Sequence, residues 1–331
     1  AVGATLILGT RWLTRATATR CDGGANELAA VWNEAARQNV AHAFGQTGLP
    51  YASGAARRVI GALDAWGARW TEAHRRTCAA TWIEGVQSQE LLDARMRCLR
   101  VELGRAAALG QVFTIAPDEK TIEGALAAVE GLPVPTDCQS SDAIAAAYPK
   151  PAPAAQHSVD EATTTLNRAL AEDAAGKPKE ALATLRTASA AVTRAQHPPL
   201  TAEYTYWEGE LLRANGDYEA AATALRQAAA LAADARQDEL MARAWTRLVA
   251  VLGPHQHKVD VAIELASVAE SALARSQATE RLRATLANNL GSVEMQAGHF
   301  NRAETYFQRA LGYVIDRPGG APLERAKVLS N

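Results

Sequence analysis

The sequence predicts an all-α protein in which a four-helix, cysteine-containing domain is followed by an α-solenoid of repeated helix pairs. Two observations lead to this. A small residue returns in one helical register at Ala181, Ala221, Ala262 and Ala303, with spacings of 40, 41 and 41. The composition, 48% hydrophobic with only 5% aromatic residues, suits Ala-rich helices packed at close quarters. The 331 residues leave room for two domains. A net charge of -2 creates no global field for nucleic acid or an anionic surface, so no nucleic-acid partner is expected.

Taken in chain order, residues 1–20 open with Ala1-Val2-Gly3-Ala4-Thr5-Leu6-Ile7-Leu8-Gly9 and turn basic at Arg11, Arg15 and Arg20. Such a run is too short to span a bilayer, which takes about 20 residues. A signal peptide would carry its positive charges before the apolar run. The stretch is therefore expected to be the end of a transmembrane helix and its juxtamembrane segment, with a buried N-terminal strand or helix as the alternative.

Residues 21–138 show four helical patterns. The first runs from about Asn26 to Phe44 with the stripe Leu28, Val31, Trp32, Ala35 and Val40. The second, Gly54 to Glu84, presents Val59, Leu63, Trp66, Trp70, Ala73 and Thr77, and the third, Gln89 to Ala108, presents Leu92, Met96, Leu99 and Leu103. A last helix follows Pro117 with Ile122, Leu126 and Val129. Trp32, Trp66 and Trp70 read as core residues.

All four cysteines, Cys21, Cys78, Cys98 and Cys138, fall in this domain, with no CxxC pair or Cys/His cluster that would suggest zinc. Cys78 and Cys98 lie ten residues to either side of Ser88, taken as the centre of the hairpin turn, which predicts bridges Cys78–Cys98 and Cys21–Cys138. Chain entropy assigns roughly 3 kcal/mol to the short loop and roughly 5 kcal/mol to the long one. Such bridges persist outside the reducing cytosol. The alternative is four reduced, buried cysteines in a cytosolic domain. A Pro/Ala-rich linker, 139–157, follows, marked by Pro149, Pro151 and Pro153.

Residues 158–331 carry the repeats. Four and seven residues after each register alanine come Leu185 and Ala188, Leu225 and Ala228, Ala266 and Ala269, and Phe307 and Ala310, all on one helix face. Twelve residues before each lies Ala169, Gly209, Ala250 or Gly291, where a partner helix can come close. Gly216-Asp217-Tyr218 and Gly298-His299-Phe300 read as interhelical turns, with the aromatic filling the gap. This pattern resembles the tetratricopeptide (TPR) repeat over about 158–316, most closely at Gly209–Ala228 and Gly291–Ala310. It departs where Pro178 and the loop Gly253-Pro254-His255-Gln256-His257 replace the usual turn, and where the period exceeds the common length of about 34. Arg325-Ala326-Lys327-Val328-Leu329 aligns with Arg283-Ala284-Thr285-Leu286-Ala287. About four repeats and the start of a fifth are thus expected, in a polypeptide cut from a longer one at both ends.

Cys21, Trp32, Trp66, Trp70, Cys78, the run Gln87-Ser88-Gln89-Glu90-Leu91-Leu92-Asp93-Ala94-Arg95-Met96-Arg97-Cys98-Leu99, and Cys138 resemble a region following the membrane helix in a family of bacterial transmembrane serine/threonine protein kinases that end in TPR arrays. The resemblance implies a kinase domain upstream, one membrane span, and this portion outside the cytoplasm as a sensor. The chain itself has no Gly-rich loop, VAIK-type lysine, HRD or DFG, and Val261-Ala262-Ile263 is followed by Glu264. No catalytic residue is assigned and no cofactor is expected here; ATP and Mg belong to the kinase domain.

A TPR-type groove would be lined by Glu203, Tyr206, Glu210, Arg213, Arg247, Asn288, Ser292 and Gln296. Tyr206 would offer an aromatic surface, and the remaining donors would bond main chain or carboxylates of a protein or peptide ligand. His255 and His257 form an H-x-H pair without a third ligand nearby, so no metal site is expected. Asp93 and Arg95 read as a local ion pair or an interhelical bond. The expected function is a non-catalytic sensor and interaction region of a membrane-anchored kinase, acting by groove binding or homodimerisation. The alternatives are a cytoplasmic TPR scaffold without a kinase, and a redox sensor built on one labile bridge.

Overall fold

The computed structural model describes residues 21–139, 144–276 and 280–315. The expectations placed on residues 1–20 and on a fifth repeat lie outside them. The described residues are helical, with no strand among them, and none of their helices is long and apolar enough to cross a membrane. They form two compact units. One runs to Lys150 and includes Asn167–Lys177; the other comprises Pro151–Leu166 and the chain from Pro178 onward.

The first unit contains α1 (Gly23–Val31), α2 (Glu34–Gln46), α3 (Ala52–Trp82), α4 (Gln89–Val112), α5 (Glu119–Glu130) and a single turn, α6 (Ile144–Ala147). The helix expected over 26–44 is two helices. Trp32 turns to extended backbone, and Asn33 caps α2 by accepting from the Ala36 N–H at 3.1 Å. The break turns the Trp32 indole toward α3, where its N–H donates to Asp64 at 2.7 Å. The stripe predicted for α3 is buried along its whole length. One cluster gathers Trp32, Phe44, Val59, Leu109, Phe113 and Ile122 with Ala171 and Ala175; a second gathers Trp66, Trp70, Leu99 and Leu103. Trp66 donates to the Pro133 carbonyl at 2.9 Å and Trp70 to the Leu99 carbonyl at 2.7 Å, so these indoles satisfy their N–H groups while serving as core.

All four cysteines are bridged, but not as expected: the pairs are Cys21–Cys78 and Cys98–Cys138. The hairpin explains the difference. The connection runs from Ile83 to Ser88 around Gly85, whose φ of +67° suits a residue without a side chain, while Ser88 already caps α4. Cys78 lies four residues before the end of α3, and Cys98 nine residues after the start of α4. At about 1.5 Å per residue their heights differ by about 7 Å. Cys98 instead meets Cys138 in the 3₁₀ turn Pro135–Gln139. Gln139 braces that turn by donating to the Ala73 carbonyl at 2.8 Å and the Thr77 hydroxyl at 3.0 Å. Arg95 donates to the Gln139 carbonyl at 3.0 Å and also to Gln87, so it makes an interhelical brace, while Asp93 accepts from Gln89.

The second unit is a TPR-like solenoid. It takes in α7 (Gln156–Ala174) as far as Leu166 and continues through α8 (Pro178–Thr187) and α9 (Ser189–Ala195). Three antiparallel pairs follow: α10 (Pro198–Ala214) with α11 (Tyr218–Asp234), α12 (Asp238–Ala250) with α13 (Val259–Arg275), and α14 (Glu280–Gln296) with α15 (Phe300–Ile315). The four register alanines are buried, as are the alanines seven residues after each. A Cβ at Gly209 would sit 2.9 Å from the Leu225 Cγ, and one at Gly291 would sit 2.6 Å from the Phe307 ring, so at both positions the partner helix packs where a side chain would otherwise be.

The loop at 253–257 is a π turn, Val251–His255, that extends α12 and closes at His257 with a φ of +56°. His255 stacks on Tyr218 with ring centroids 4.4 Å apart, and Gln256 donates to the Tyr218 carbonyl at 2.7 Å. Tyr218 therefore fills its gap as expected. Phe300 does not: it is 70% exposed, because the ring that covers Tyr218 comes from the next helix pair, and no described residue plays that part for Phe300.

Peptide mapping under non-reducing conditions is expected to yield linked Cys21–Cys78 and Cys98–Cys138 peptides. Replacing Cys98 and Cys138 by Ser opens a loop of 40 residues. By the chain-entropy relation this lowers the unfolding free energy by about 4 kcal/mol, measured by urea denaturation.

Candidate interaction face of the repeats

The first helix of each pair repeats one position at Tyr206, Arg247 and Asn288, on α10, α12 and α14, each 41 residues apart. Helical spacing then adds Glu203, Glu210 and Arg213 on the first helix, and Ser292 and Gln296 on the third.

Four of these residues form one cluster. The Glu210 carboxylate takes Arg213 Nε at 3.2 Å on one oxygen and Arg247 Nε at 2.9 Å on the other. Glu210 raises the Arg247 pKa above its ordinary range, so this guanidinium stays charged. Tyr206, on the same helix as Glu210, adds a smaller contribution that also favours the charged form of Arg247. The Glu210 side chain is only 7% exposed, whereas Arg213 and Arg247 are 29% and 38% exposed; the anion is inside and the cations reach the surface.

Tyr206 does not offer the open aromatic surface expected of it. It is 2% exposed, lies edge-on to Trp207 at 5.1 Å, and is covered by the Arg243 guanidinium 5.0 Å above its ring. The cause is the next helix pair, whose Arg243 closes over α10. Sequence spacing missed Arg243 and Trp207, which carry no motif; the signal was an arginine a turn before Arg247 on the same helix.

On α14, Ser292 donates back to the Asn288 carbonyl at 3.1 Å, and Gln296 donates to the Pro254 carbonyl at 3.4 Å, joining α14 to the end of the π turn. Asn289, also missed, donates to the Thr246 carbonyl at 3.0 Å and holds α14 against α12. Asn288 and Ser292 are partly buried, Gln296 is exposed, and Glu203 is partly buried a turn before Tyr206. Desolvation, then the nearby Arg213 charge, push the His255 imidazole below its ordinary pKa, which suits its neutral stack on Tyr218. Among the described residues no three His, Cys, Asp or Glu side chains converge to hold a metal.

The arrangement can hydrogen-bond carbonyl or carboxylate groups laid across α10, α12 and α14, with Arg213 and Arg247 supplying charge. A small pocket does occur in the first unit, between Leu28, Trp32, Leu63 and Leu103, but at about 10 Å³ it has room for no more than about one water.

A tetratricopeptide repeat family model matches residues 166–238, a span that includes Glu203, Tyr206, Glu210 and Arg213. No curated protein and no solved structure matches the chain.

Replacing Arg247 by Ala leaves the buried Glu210 with Arg213 alone and is expected to lower the unfolding free energy by about 2–3 kcal/mol. Replacing Glu210 by Gln leaves cations that reach water, at a cost of about 1 kcal/mol. Urea unfolding followed by circular dichroism at pH 7 separates the two; an equal or reversed order would contradict the clamp.

Proposed function

We propose that the repeats bind an extended polar segment of another protein across α10, α12 and α14. We further propose that this region is the non-catalytic, extracytoplasmic interaction part of a membrane-anchored serine/threonine protein kinase. The observation that carries the first statement is the Glu210 clamp. It holds Arg213 and Arg247 in place before any ligand arrives, which reduces the side-chain ordering cost of binding. Asn288, Ser292 and Gln296 continue the polar row on α14.

The extracytoplasmic placement is supported by two bridges whose four cysteines are each at most 6% exposed. It is the reason to prefer this reading over a cytoplasmic scaffold, which needs reduced thiols. Buried bridges also fit a structural staple better than a labile redox sensor. The kinase connection rests on the resemblance of residues 21–138. In that setting a ligand that binds one association state better than another would bias the pairing of kinase domains.

The binding statement is tested by chemical crosslinking on intact cells, comparing the wild-type chain with Arg213→Ala/Asn288→Ala, which spares the Arg247–Glu210 pair. At least a tenfold loss of the crosslinked partner is expected, and unchanged crosslinking would sink the assignment. For the kinase statement, sequencing the coding region upstream of Ala1 is expected to find HRD and DFG motifs followed by one membrane span; an upstream region lacking both would overturn it.

A further inference from the structure

The 31-residue helix α3 packs its apolar stripe into the core of the first unit and leaves another side open. Gly54, Gly61, Ala65, Ala68 and Glu72 follow one another along that open side at spacings of 7, 4, 3 and 4, which keeps them on one line. Arginines flank the line on both sides, Arg57 and Arg75 on one and Arg58, Arg69 and Arg76 on the other, and all five are exposed. Gly61, Ala65 and Ala68 are exposed too, and a Cβ at Gly61 would meet nothing within 4 Å. The face is a smooth floor between two basic edges.

One end of this face already holds a carboxylate. Glu72 accepts from Arg75 at 2.9 and 2.8 Å and from Arg76 at 2.6 Å. Hydrogen bonds from Arg75, then Arg76, hold its carboxyl at about 2, well below the ordinary range. The same spacing recurs five turns earlier, where Arg57 and Arg58 follow Gly54 as Arg75 and Arg76 follow Glu72. Here glycine stands in the carboxylate's place. A Cβ at Gly54 would lie 3.7 Å from Arg58 Nη1 and 4.0 Å from Arg57 Nη2, so both guanidiniums stand over this position. Neither they nor Arg69 form an ion pair among the described residues. At about 1.5 Å per residue the two arginine pairs are about 27 Å apart.

We propose that the open face of α3 docks an acidic helix of another protein, one of whose carboxylates enters the Arg57–Arg58 pair over Gly54 as Glu72 enters Arg75–Arg76. The chemistry of the face selects that occupant. An extended segment needs partners for its backbone amides, which Gly and Ala side chains cannot supply, whereas a helix satisfies its own. Glu72, on the line itself, opposes a continuous row of phosphates on a nucleic acid or a bilayer, while discrete carboxylates can be spaced to avoid it. The same face of a second copy would set arginine against arginine. One exposed ion pair contributes little alone, so the partner has to present several carboxylates along its length. The face lies in the first unit and uses none of the groove residues, so it stands or falls apart from the function proposed above.

The test uses the full 331-residue chain, bridges intact, and a fluorescent Ala-based helical peptide with glutamates along one face, its glutamine counterpart serving as control. Anisotropy is expected to show salt-dependent binding of the glutamate peptide and at least tenfold weaker binding of the control. Arg57→Gln/Arg58→Gln should weaken binding at least tenfold with unchanged circular dichroism and thermal midpoint. Ala65→Phe, which raises the floor without altering charge, should do the same. Gly54→Glu supplies from within the chain the carboxylate that Glu72 gives to Arg75 and Arg76, so it should lower binding at least tenfold without lowering the thermal midpoint; the uncharged Gly54→Gln should keep most of the binding. Equal affinity for the two peptides, no binding of the glutamate peptide, or a Gly54→Glu chain that binds as tightly as wild type would overturn the proposal. Displacement of the peptide by inorganic phosphate at concentrations where acetate has no effect would identify a phosphate ligand and also overturn it.

Discussion

Helices in both units come together at positions that carry no side chain, and the rest of the architecture follows from that close approach. A Cβ at Gly67 would lie 2.9 Å from Leu28, which seats α1 on α3, and Gly209 and Gly291 play the same part against Leu225 and Phe307. Close approach needs small neighbours, which is why the second helix of each pair is rich in buried alanine. Small side chains bury little area each, so a single pair is a weak fold. In the repeats the remedy is stacking, each pair covering the next; in the first unit it is the two bridges, joined by three indoles that fill the core and satisfy their own N–H groups.

The same constraint builds the interaction face. With α10 and α12 close together, a residue repeated every 41 positions lands beside its counterpart. At the first such junction Tyr206 and Glu210 are covered, and Arg247 reaches back to close over them. A buried carboxylate then needs compensation, and the two arginines that supply it are fixed with part of each guanidinium at the surface. Stability and recognition thus draw on one cluster, in which the anion is structural and the cations are available.

Local patterns foretold the register of the repeats, the α3 stripe and the role of the tryptophans, because each is a matter of spacing along one helix. What depends on a partner far along the chain was not legible. Tyr206 looks open from α10 alone, and only Arg243, 37 residues on, shows that it is covered. The cysteine pairing failed for a different reason: symmetry about Ser88 placed the turn too late, although Gly85 and a Ser88 cap three residues before the Leu91 N–H were there to be read. The break at Trp32 was hidden by an apolar stripe running through it, with Asn33-Glu34 the only sign of a new helix start.

The close approach itself is tested by a pair of substitutions to alanine inside helices. A methyl group added at Gly61, in the interior of α3, would have nothing within 4 Å of it, whereas one at Gly209 would meet Leu225, including its backbone N at 3.2 Å. Alanine in a helix interior normally stabilises by about 1 kcal/mol over glycine. Gly61→Ala should show that gain in urea unfolding, while Gly209→Ala should lose stability, because Leu225 and its backbone must move. A gain at Gly209 equal to that at Gly61 would contradict the account.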